Sequence, residues 1–260
     1  MIGAIRSFHR ELIHNDFDQN NVFSKPFSWY LRWHSVCNST ERELDSILRS
    51  FHVSRDLKSQ SISPIAIIAS TQRFGYGQNG RDWQSRIGGV WLSAALPLSN
   101  KSHYSSFVLA VVEGLALQLE QMGVSVKLKW PNDIFINKRK LGGILPRIVI
   151  RGSVTQIVRI GIGLNCTNTV PLEAINISEV LKYQPINVMK IAARVLRGLE
   201  WAVQNTNQSE LLRRLVERRL IGLGHPFPWK GAIWRIGGLE IHGGLRLIRG
   251  SEEVICRRFN

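Results

Sequence analysis

Apolar residues recur with helical spacing in four parts of the chain. The first part follows Asn38 and Glu41, which have the spacing of a capping box, and its apolar positions fall at i, i+3, i+4 and i+7 from Leu44 onward. A second, longer apolar stretch ends at Gly123, a residue type that commonly terminates helices. The pattern predicts four helices, around residues 41–51, 107–122, 188–203 and 210–220.

Short apolar or alternating runs predict one dominant β-sheet. Residues 64–69 form an apolar run bounded by proline, and residues 90–96 and 126–130 alternate as strands do. Further runs, separated by short turns, are typical of an antiparallel meander. These runs cover residues 134–136, 144–150 and 156–164, with turns at 137–138 and 151–153. The predicted fold class is therefore α+β, with a mixed, largely antiparallel sheet flanked by helices.

The pattern changes after His225 and Pro226. Short strand-like runs separated by glycine pairs follow, around residues 229–234, 239–242, 245–248 and 254–259. They predict a small C-terminal β-barrel module. The chain is accordingly divided into a larger domain, residues 1–224, and the module, residues 225–260.

The composition argues against a disordered chain and indicates an anionic partner. Of 260 residues, 34 are Lys or Arg and 19 are Asp or Glu, which gives a formal net charge of +15, while 44% are hydrophobic. This charge favours nucleic acid, nucleotide phosphates, an acidic protein or an anionic membrane as the partner, without choosing among them.

Other features bear on location and metal content. No apolar run in the sequence is long enough to cross a bilayer, and the N-terminus has no signal-peptide pattern, so the chain is expected to begin at Met1. Cys37, Cys166 and Cys256 are scattered, which argues against a disulfide framework and fits a reducing, cytoplasmic location. The histidine spacing suggests no metal site made of protein ligands alone.

The first segment with chemical character is the glycine-rich stretch 72–83, directly after a predicted strand. Its glycines let the backbone approach a ligand closely and let N–H groups face an anion. Arg81 can bind a phosphate and Trp83 can stack on a base, so the stretch suits a nucleotide. An ordinary tight turn explains the glycines equally well.

Two further segments, 129–145 and 159–165, add cations and an amide. Lys129 and Lys140 can converge because the chain reverses direction between them, although a solvated hairpin is the alternative. In the second segment, alternating glycines mark either close approach of a ligand or a bulge. Asn165 stands at the end of that strand, where its amide could bind an adenine edge.

Together these segments resemble the biotin protein ligases, which attach biotin to carrier proteins. The family pattern combines a Ser-Thr-Asn motif, a GRGRxGRxW loop after a Gln, KWPND with RKLxGIL, and a GxGxN strand. The corresponding residues here are Ser39-Thr40-Glu41, 72–83, 129–145 and 161–165. KWPND followed by RKLGGIL is the specific part of the match. The resemblance covers about residues 33–166 and, more faintly, the C-terminal module.

The resemblance implies a class II synthetase-like biotin/lipoate ligase fold and a carbon–nitrogen bond-forming ligase. Biotin and ATP would form biotinyl-5′-AMP, and a lysine of the biotin carboxyl carrier protein of acetyl-CoA carboxylase would then take the biotinyl group. ATP and the Mg²⁺ that it carries are the implied cofactors. About 30 residues precede the ligase pattern, so a form without an N-terminal DNA-binding domain is expected, a monomer or homodimer that binds neither DNA nor membrane.

The resemblance also implies a role for each matched residue. The implied catalytic residues are Lys140, Asp133, Lys129 and Arg81, of which Asp133 would help to deprotonate the incoming lysine. The implied biotin-binding residues are Ser39, Thr40, Glu41, Gln72, Gly75, Tyr76, Gly77, Gln78, Lys140 and Gly143. The implied nucleotide-binding residues are Arg81, Trp83, Lys129, Asn132 and Asn165.

Several positions depart from the family pattern. Tyr76 and Gln78 replace two loop arginines, Glu41 replaces the Asn of the Ser-Thr-Asn motif, and Arg147 follows Pro146 where family members often carry an acid. Loss of a charge-assisted hydrogen bond costs about 1.5 to 3 kcal/mol, or about ten- to a hundredfold in affinity. We therefore predict an active ligase that releases its biotinyl-adenylate faster than relatives with both arginines.

Three other functions stay open on the sequence. The octanoyl and lipoyl transferases and ligases share the fold, although KWPND followed by RKLGGIL favours biotin. A nucleic-acid-binding protein would explain the charge, but no nucleic-acid-binding module is evident in the sequence. A degenerate ligase fold retained as a partner protein would explain the missing loop arginines.

Overall fold

The structure is a computed structural model that describes residues 1–18, 25–53, 63–98, 104–151 and 155–257. The helices in these ranges are α1 (Ile2–Asp18), α2 (Thr40–Val53), α3 (Tyr104–Glu120), α4 (Ile177–Val180), α5 (Val188–Asn205) and α6 (Ser209–Glu217). The strands are β1 (Tyr30–Cys37), β2 (Ile65–Gln72), β3 (Gly89–Leu98), β4 (Lys127–Lys129), β5 (Asp133–Ile136), β6 (Arg139–Arg151), β7 (Thr155–Asn165), β8 (Pro226–Trp229), β9 (Ala232–Leu239), β10 (Leu245–Arg249) and β11 (Glu252–Cys256).

A seven-stranded sheet in the order β1-β2-β3-β7-β6-β5-β4 forms the centre of the molecule. Strands β1 and β2 are parallel, and the other neighbouring pairs are antiparallel. The predicted mixed, largely antiparallel sheet flanked by helices is therefore confirmed.

The two faces of this sheet are covered differently. On one face, Leu92 and Leu96 of β3 belong to the main core together with Phe107 of α3 and Leu199 of α5. On the other face, a smaller core joins Ala95 of β3 to apolar residues of α2. Because α2 contacts chiefly β2 and β3, the neighbouring part of this second face remains available for a pocket.

The predicted C-terminal β module is a four-stranded antiparallel sheet in the order β11-β10-β9-β8. In the described residues β8 and β11 stand at its two edges, so the ladder is an open sheet rather than a closed barrel. Two of the predicted strands, 229–234 and 239–242, were wrongly placed because a turn interrupts each. Lys230 and Gly231 adopt positive φ in the first, and in the second the chain turns after Leu239, where the Gly243 N–H donates to the Glu240 carbonyl. Gly237 and Gly238, predicted as a separator, lie inside β9 at a register shift.

The other predicted helices and strands are present, with shifted ends. Helix α6 ends at Glu217 rather than at residue 220, because the segment beyond it pairs with β4 through the Leu128 N–H, which donates to the Arg219 carbonyl. Strand β6 begins five residues before the predicted start, and β11 begins two residues before its own. The predicted turn at 151–153 and the predicted end of the last strand at 259 lie partly outside the described residues.

Sequence patterning missed helix α1 and the edge strand β1, both within the first 37 residues, and also the single-turn helix α4. On α1 the buried face includes His9 and Asp16, whose partners Glu200 and Arg197 lie far along the chain in α5. These polar residues on the buried face interrupt the 3.6-residue repeat of apolar positions, so the sequence of α1 shows only a weak helical pattern. Strand β1 stands at the sheet edge and is largely exposed, which blurs its alternation in the same way.

Within the described ranges, no helix is both long and apolar enough to cross a membrane.

Candidate functional site

A pocket of about 400 Å³ opens on the sheet face that α2 covers in part. It is lined by the first residues of α2, by the loop between β2 and β3, by strands β3, β5, β6 and β7, and by the segment 168–174. The glycine-rich, KWPND and GxGxN segments, which are far apart in the sequence, therefore meet in one cavity.

Three glycines form the floor of this pocket. Gly161 and Gly163 of β7 point to the same face, since side chains alternate along a strand, and Gly143 of β6 lies opposite Gly163. The Trp83 indole lies directly on this floor, because a Cβ on Gly163 would stand only 2.6 Å from Nε1 of Trp83. At this position glycine is required by the close approach of the ring, and any larger residue would displace Trp83.

The end of the pocket next to α2 holds a closed set of hydrogen bonds. The Gln72 side-chain oxygen accepts from the Thr40 N–H at 2.7 Å and from the Thr40 hydroxyl at 3.0 Å. The Gln72 amide nitrogen donates to the Ser85 hydroxyl at 2.7 Å. The Thr40 hydroxyl also lies 2.8 Å from the Ser93 hydroxyl. These contacts hold the N-terminus of α2 against the loop and the floor, with Ser39 buried beside them.

A buried ion pair lies in the same region. Arg159 of β7 is 6% exposed and donates from Nη2 to Oε2 of Glu41 at 3.1 Å and to the Glu41 carbonyl at 3.0 Å. Its Nη1 donates to Asp45 at 2.5 Å. The second carboxylate oxygen of Glu41, Oε1, is buried and has no hydrogen-bond partner. Oε1 of Glu41 is therefore a buried acceptor without a hydrogen-bond partner among the described residues.

Lys140 and Asp133 form the charged centre of the pocket. The Lys140 Nζ lies 2.7 Å from Oδ1 of Asp133 and 4.8 Å from the centroid of the Trp83 ring. Asp133 stands opposite Gly143 in the sheet, so both groups lie beside the glycine floor. The Lys140 backbone is fixed by hydrogen bonds to Glu173 and Ile175 in the segment that closes this side.

The far end of the pocket carries side-chain amides. Asn165, at the end of β7, donates to the Ile175 carbonyl and accepts from the Asn168 amide at 3.0 Å. Asn132 donates to the Ile144 carbonyl at 2.5 Å. At about 3.3 Å per residue of strand, Asn165 lies about 13 Å along β7 from Gly161. The pocket thus extends from Glu41 at one end, across the glycine floor beside Lys140, to the side-chain amides near Asn165 at the other end.

Most residues predicted for the site line this pocket, and two do not. The predicted residues that line it are Ser39, Thr40, Glu41, Gln72, Tyr76, Gly77, Gln78, Arg81, Trp83, Asn132, Asp133, Lys140, Gly143 and Asn165. Gly75 is buried within the loop, where a Cβ would meet the Ser85 hydroxyl. Lys129 is exposed, and its Nζ lies 5.3 Å from the centroid of the Phe135 ring. Lys129 therefore does not line the pocket, although it stands opposite Asp133 in the sheet.

Sequence reasoning assigned no role to Ser85, Ser93, Arg159 or Asn168. Arg159 left the clearest signal, since a single arginine between apolar neighbours in a predicted strand requires a buried partner. Ser93 left a fainter one, as a lone hydroxyl in an otherwise apolar strand. Ser85 and Asn168 lie in loops, where polar residues are ordinary, so nothing in the sequence distinguishes them.

The two departures from the family pattern at Tyr76 and Arg147 contact each other. The Arg147 guanidinium carbon lies 5.2 Å from the centroid of the Tyr76 ring. Arg147 stands on β6 opposite Arg159, on the same face as the pocket. The guanidinium of Arg147 therefore lies beside the loop between β2 and β3, although Tyr76 replaces one of the family's loop arginines.

The cysteines near the pocket are poor nucleophiles. Burial raises the pKa of Cys37 to about 11, with a further contribution from the charge of Glu43. Burial likewise raises the pKa of Cys166 to about 12. Both thiols stay protonated at neutral pH, and neither lines the pocket.

The part of the chain that the structure describes contains no cluster of three or more His, Cys, Asp or Glu side chains placed to hold a metal ion.

Comparison of this chain with known proteins identifies relatives in sequence and in fold. The model of the Biotin/lipoate A/B protein ligase family matches residues 36–165. The human biotin–protein ligase is 26% identical over 77% of this chain, which spans 28% of that protein. The biotin–[acetyl-CoA-carboxylase] ligase of Mycobacterium tuberculosis is 28% identical over 82% of this chain and 78% of its own length.

The chain spans much less than two thirds of some relatives, and only 40% of the bifunctional ligase/repressor of Bacillus subtilis. Among solved structures, the biotin protein ligase from Aquifex aeolicus in complex with biotin and ATP is similar in fold. Its TM-score is 0.68 and its sequence identity 20%, with 87% of this chain and 94% of that chain covered.

Proposed function

The chain belongs to the Biotin/lipoate A/B protein ligase family, and we propose that it is an ATP-dependent biotin protein ligase. The observation that carries this proposal is the placement of Lys140 and Asp133 beside a glycine floor, between the acceptor end at Glu41 and the amides near Asn165. The human and mycobacterial relatives are named as biotin ligases, and the Aquifex structure contains biotin and ATP, which supports biotin and ATP as substrates.

In the first half-reaction, an oxygen of the biotin carboxylate attacks the α-phosphorus of ATP. A new phosphorus–oxygen bond forms, the bond to the β-phosphate bridging oxygen breaks, and pyrophosphate leaves. Two anionic groups must approach each other, so a fixed cation lowers the barrier. Lys140 supplies that charge at the floor, and Arg81, exposed at the rim and part of the pocket lining, is positioned for the outgoing phosphates.

In the second half-reaction, an uncharged carrier lysine attacks the carbonyl carbon of the acyl phosphate. The carbon–oxygen bond to AMP breaks, an amide forms, and the nitrogen loses a proton. A free lysine, with a pKa of about 10.4, is mostly protonated at neutral pH, so a nearby carboxylate is needed to take the proton from its ammonium group. Asp133 is the carboxylate beside the reacting position, and Lys140 at 2.7 Å holds it in place.

Mg²⁺ would enter with the triphosphate and neutralise its charge there. The pocket fits a cation that is carried by its substrate, since its lining offers the isolated carboxylates Glu41, Asp82, Asp133 and Glu173 rather than a ligand cluster. The other parts of the proposal are a biotin carboxyl carrier protein of acetyl-CoA carboxylase as acceptor, a cytoplasmic location, a monomer or homodimer, and a domain boundary between residues 224 and 225.

The rival function in the same family is transfer of an octanoyl or lipoyl group. A route through a thioester would need a reactive thiolate in the pocket. The raised pKa values of Cys37 and Cys166 oppose it, and neither cysteine lines the pocket. A route through an acyl-adenylate remains as an outcome of the test.

We expect the purified protein, given biotin, ATP, Mg²⁺ and a biotin carrier domain, to produce a carrier that binds streptavidin. Octanoate and lipoate, in parallel reactions followed by mass spectrometry of the carrier, should give no adduct. Transfer of octanoate or lipoate in place of biotin would contradict the proposed substrate. No transfer of any of the three would support a non-catalytic partner protein, and duplex DNA binding that persists at physiological salt would revive the nucleic-acid function.

The Arg147–Tyr76 contact makes a prediction about the loop over the pocket. At an exposed position a cation–π contact contributes about 0.5 to 1 kcal/mol, or about two- to fivefold in a rate. We expect Arg147→Ala to release biotinyl-adenylate about two- to fivefold faster, measured by a chase with unlabelled ligand. Tyr76→Leu should do the same, the double variant should add little more, and Tyr76→Phe should match the wild type. Fully additive effects of the two changes would contradict the contact.

A further inference from the structure

A second cavity, with a volume of about 550 Å³, lies on the face of the sheet that α5 covers. We call it the α1 cavity. Its described lining residues are Arg6, His9 and Arg10 of α1, residues 27–29, Leu31 of β1 and Leu196 of α5. The α1 cavity and the pocket share no described lining residue. It is therefore a separate space, and its volume falls within the range of about 300 to 1,000 Å³ that small-molecule sites span.

One wall of the α1 cavity is apolar and is held in place by the fold itself. Trp29 and Leu31 are each 8% exposed, and Leu196 is fully buried. The Phe27 ring lies beside Trp29, with 6.0 Å between the ring centroids. The Trp29 indole N–H and the Phe27 backbone N–H both donate to Oε1 of Glu200, at 2.7 Å and 2.9 Å. This wall is therefore preorganised to receive an apolar group.

The helical wall of the α1 cavity is cationic. Arg6 and Arg10 are exposed and stand one turn apart, about 6 Å along the helix axis. His9 lies between them in the sequence and is fixed by its contact with Glu200 at 3.0 Å. Neither arginine forms an ion pair with a described residue, and the described lining contains no Asp or Glu. Like charges one helical turn apart repel each other, so an anion bound between these two arginines relieves the repulsion.

We propose that the α1 cavity binds a small organic anion, a carboxylate or a phosphate that carries an apolar body. The anionic group lies at Arg6 and Arg10, since a guanidinium donates parallel hydrogen bonds to the oxygens of either head group. The apolar body lies against Trp29, Leu31 and Leu196, where it is removed from water. An inorganic anion leaves this wall uncovered, and an uncharged molecule leaves the two arginines without an anion, so tight binding requires both parts of the ligand. This inference is independent of the proposed function, because the α1 cavity is separate from the pocket.

The test compares four probes by isothermal titration calorimetry on the full chain: 1-naphthyl phosphate, 1-naphthoate, 1-naphthol and inorganic phosphate. The first two combine an aromatic body with an anionic group, 1-naphthol lacks the charge, and inorganic phosphate lacks the body. We expect at least one of the two naphthyl anions to bind at a single site. Comparison of these two shows whether a phosphate or a carboxylate is preferred. Both 1-naphthol and inorganic phosphate should bind at least about tenfold more weakly, because each loses one of the two walls.

The double variant Arg6→Ala/Arg10→Ala is expected to lose about ten- to a hundredfold in affinity for the naphthyl anion that binds, with affinity for 1-naphthol unchanged. Lys138→Ala/Arg218→Ala is the matched control, since both residues are exposed, lie outside both linings and carry the same total charge. It should bind all four probes as the wild type does. Ser28→Trp is the second test, because Ser28 is exposed in the lining and a large side chain there narrows the cavity, which should weaken the naphthyl anion and 1-naphthol alike.

Lys140→Ala distinguishes binding in the α1 cavity from binding in the pocket. An affinity that falls in the arginine variant and persists in Lys140→Ala supports the inference. An affinity that falls only in Lys140→Ala would place the naphthyl anion in the pocket and overturn the inference. Equal losses in the arginine and control variants would show an effect of net charge, and 1-naphthol binding as tightly as the anions would show an apolar site without an anion requirement. Either result, or no binding of either anion by the wild type, overturns the inference and leaves the proposed function untouched.

Discussion

Lys140→Ala is expected to slow formation of biotinyl-adenylate by about a hundred- to a thousandfold, the usual cost of removing one preorganised group that stabilises transition-state charge. Lys140 lies beside the floor of the pocket at 2.7 Å from Asp133, where no other lysine of the described lining stands. Without it, the carboxylate of biotin and the triphosphate meet without a fixed cation between them. The measurement is biotin-dependent exchange of labelled pyrophosphate into ATP.

Lys138→Ala is the control for this prediction. Lys138 is exposed in the turn before β6 and is outside the pocket lining, so the variant makes the same change in net charge with little expected effect. Equal losses in both variants would indicate that net charge, rather than the position of Lys140, supports the reaction. Lys129→Ala tests the role that the resemblance assigned, and a loss comparable to that of Lys140→Ala would restore Lys129 to the catalytic set.

Glu200→Gln is expected to lower the free energy of unfolding by about 3 to 5 kcal/mol, the cost of breaking a buried ion pair by removing one partner. Glu200 is fully buried in α5 and pairs with Arg197. Its Oε1 also accepts from the Trp29 indole at 2.7 Å and from the Phe27 N–H at 2.9 Å, and lies 3.0 Å from the His9 ring nitrogen. One carboxylate thus joins α1, the segment before β1, and α5. Urea denaturation followed by fluorescence measures the change.

The same group makes an acid-dependent contribution to stability. Burial raises the pKa of Glu200, but the hydrogen bond and charge of His9, the Phe27 N–H and the charge of Arg197 outweigh burial and lower it overall. Arg197 is in turn paired with Asp16 at 2.5 Å. A carboxyl group whose pKa is lowered by folding stabilises the protein above its ordinary pKa, about 4.3, and loses this contribution as the pH falls through the lowered value.

We therefore expect the stability difference between wild type and Glu200→Gln to be full near neutral pH and to shrink below about pH 4. Glu210→Gln is the control, because Glu210 pairs with Arg213 and Arg214 on the exposed face of α6 and makes the same chemical change at the surface. An exposed ion pair contributes little, so this variant should unfold close to the wild type. A Glu200→Gln variant as stable as Glu210→Gln would show that the buried network is dispensable.

The sequence determined much of the fold because most elements have an unbroken period. Helix α2, strands β2 and β3, the β5 to β7 meander and helix α5 each bury a regular apolar face, and each lies close to its predicted place. The motifs likewise identified most of the pocket lining, though not the wall at 168–174, since the glycines, Lys140, Asp133 and Trp83 have roles that depend on residue type and short spacing. A floor without side chains needs glycine wherever it lies in the chain.

Tertiary structure alone decided the features that depend on distant partners. Helix α1 was missed because the partners of its buried polar residues lie in α5. Lys129 was grouped with Lys140 because the chain reverses direction between them, but its ammonium group lies over the Phe135 ring and does not line the pocket. The unpaired oxygen of Glu41 exists because Arg159, 118 residues away, takes the other one. The local sequence determines which groups a residue can bury or bind, whereas the tertiary structure determines which partner it contacts. For Glu41 that partner is Arg159, which pairs with only one of the two carboxylate oxygens.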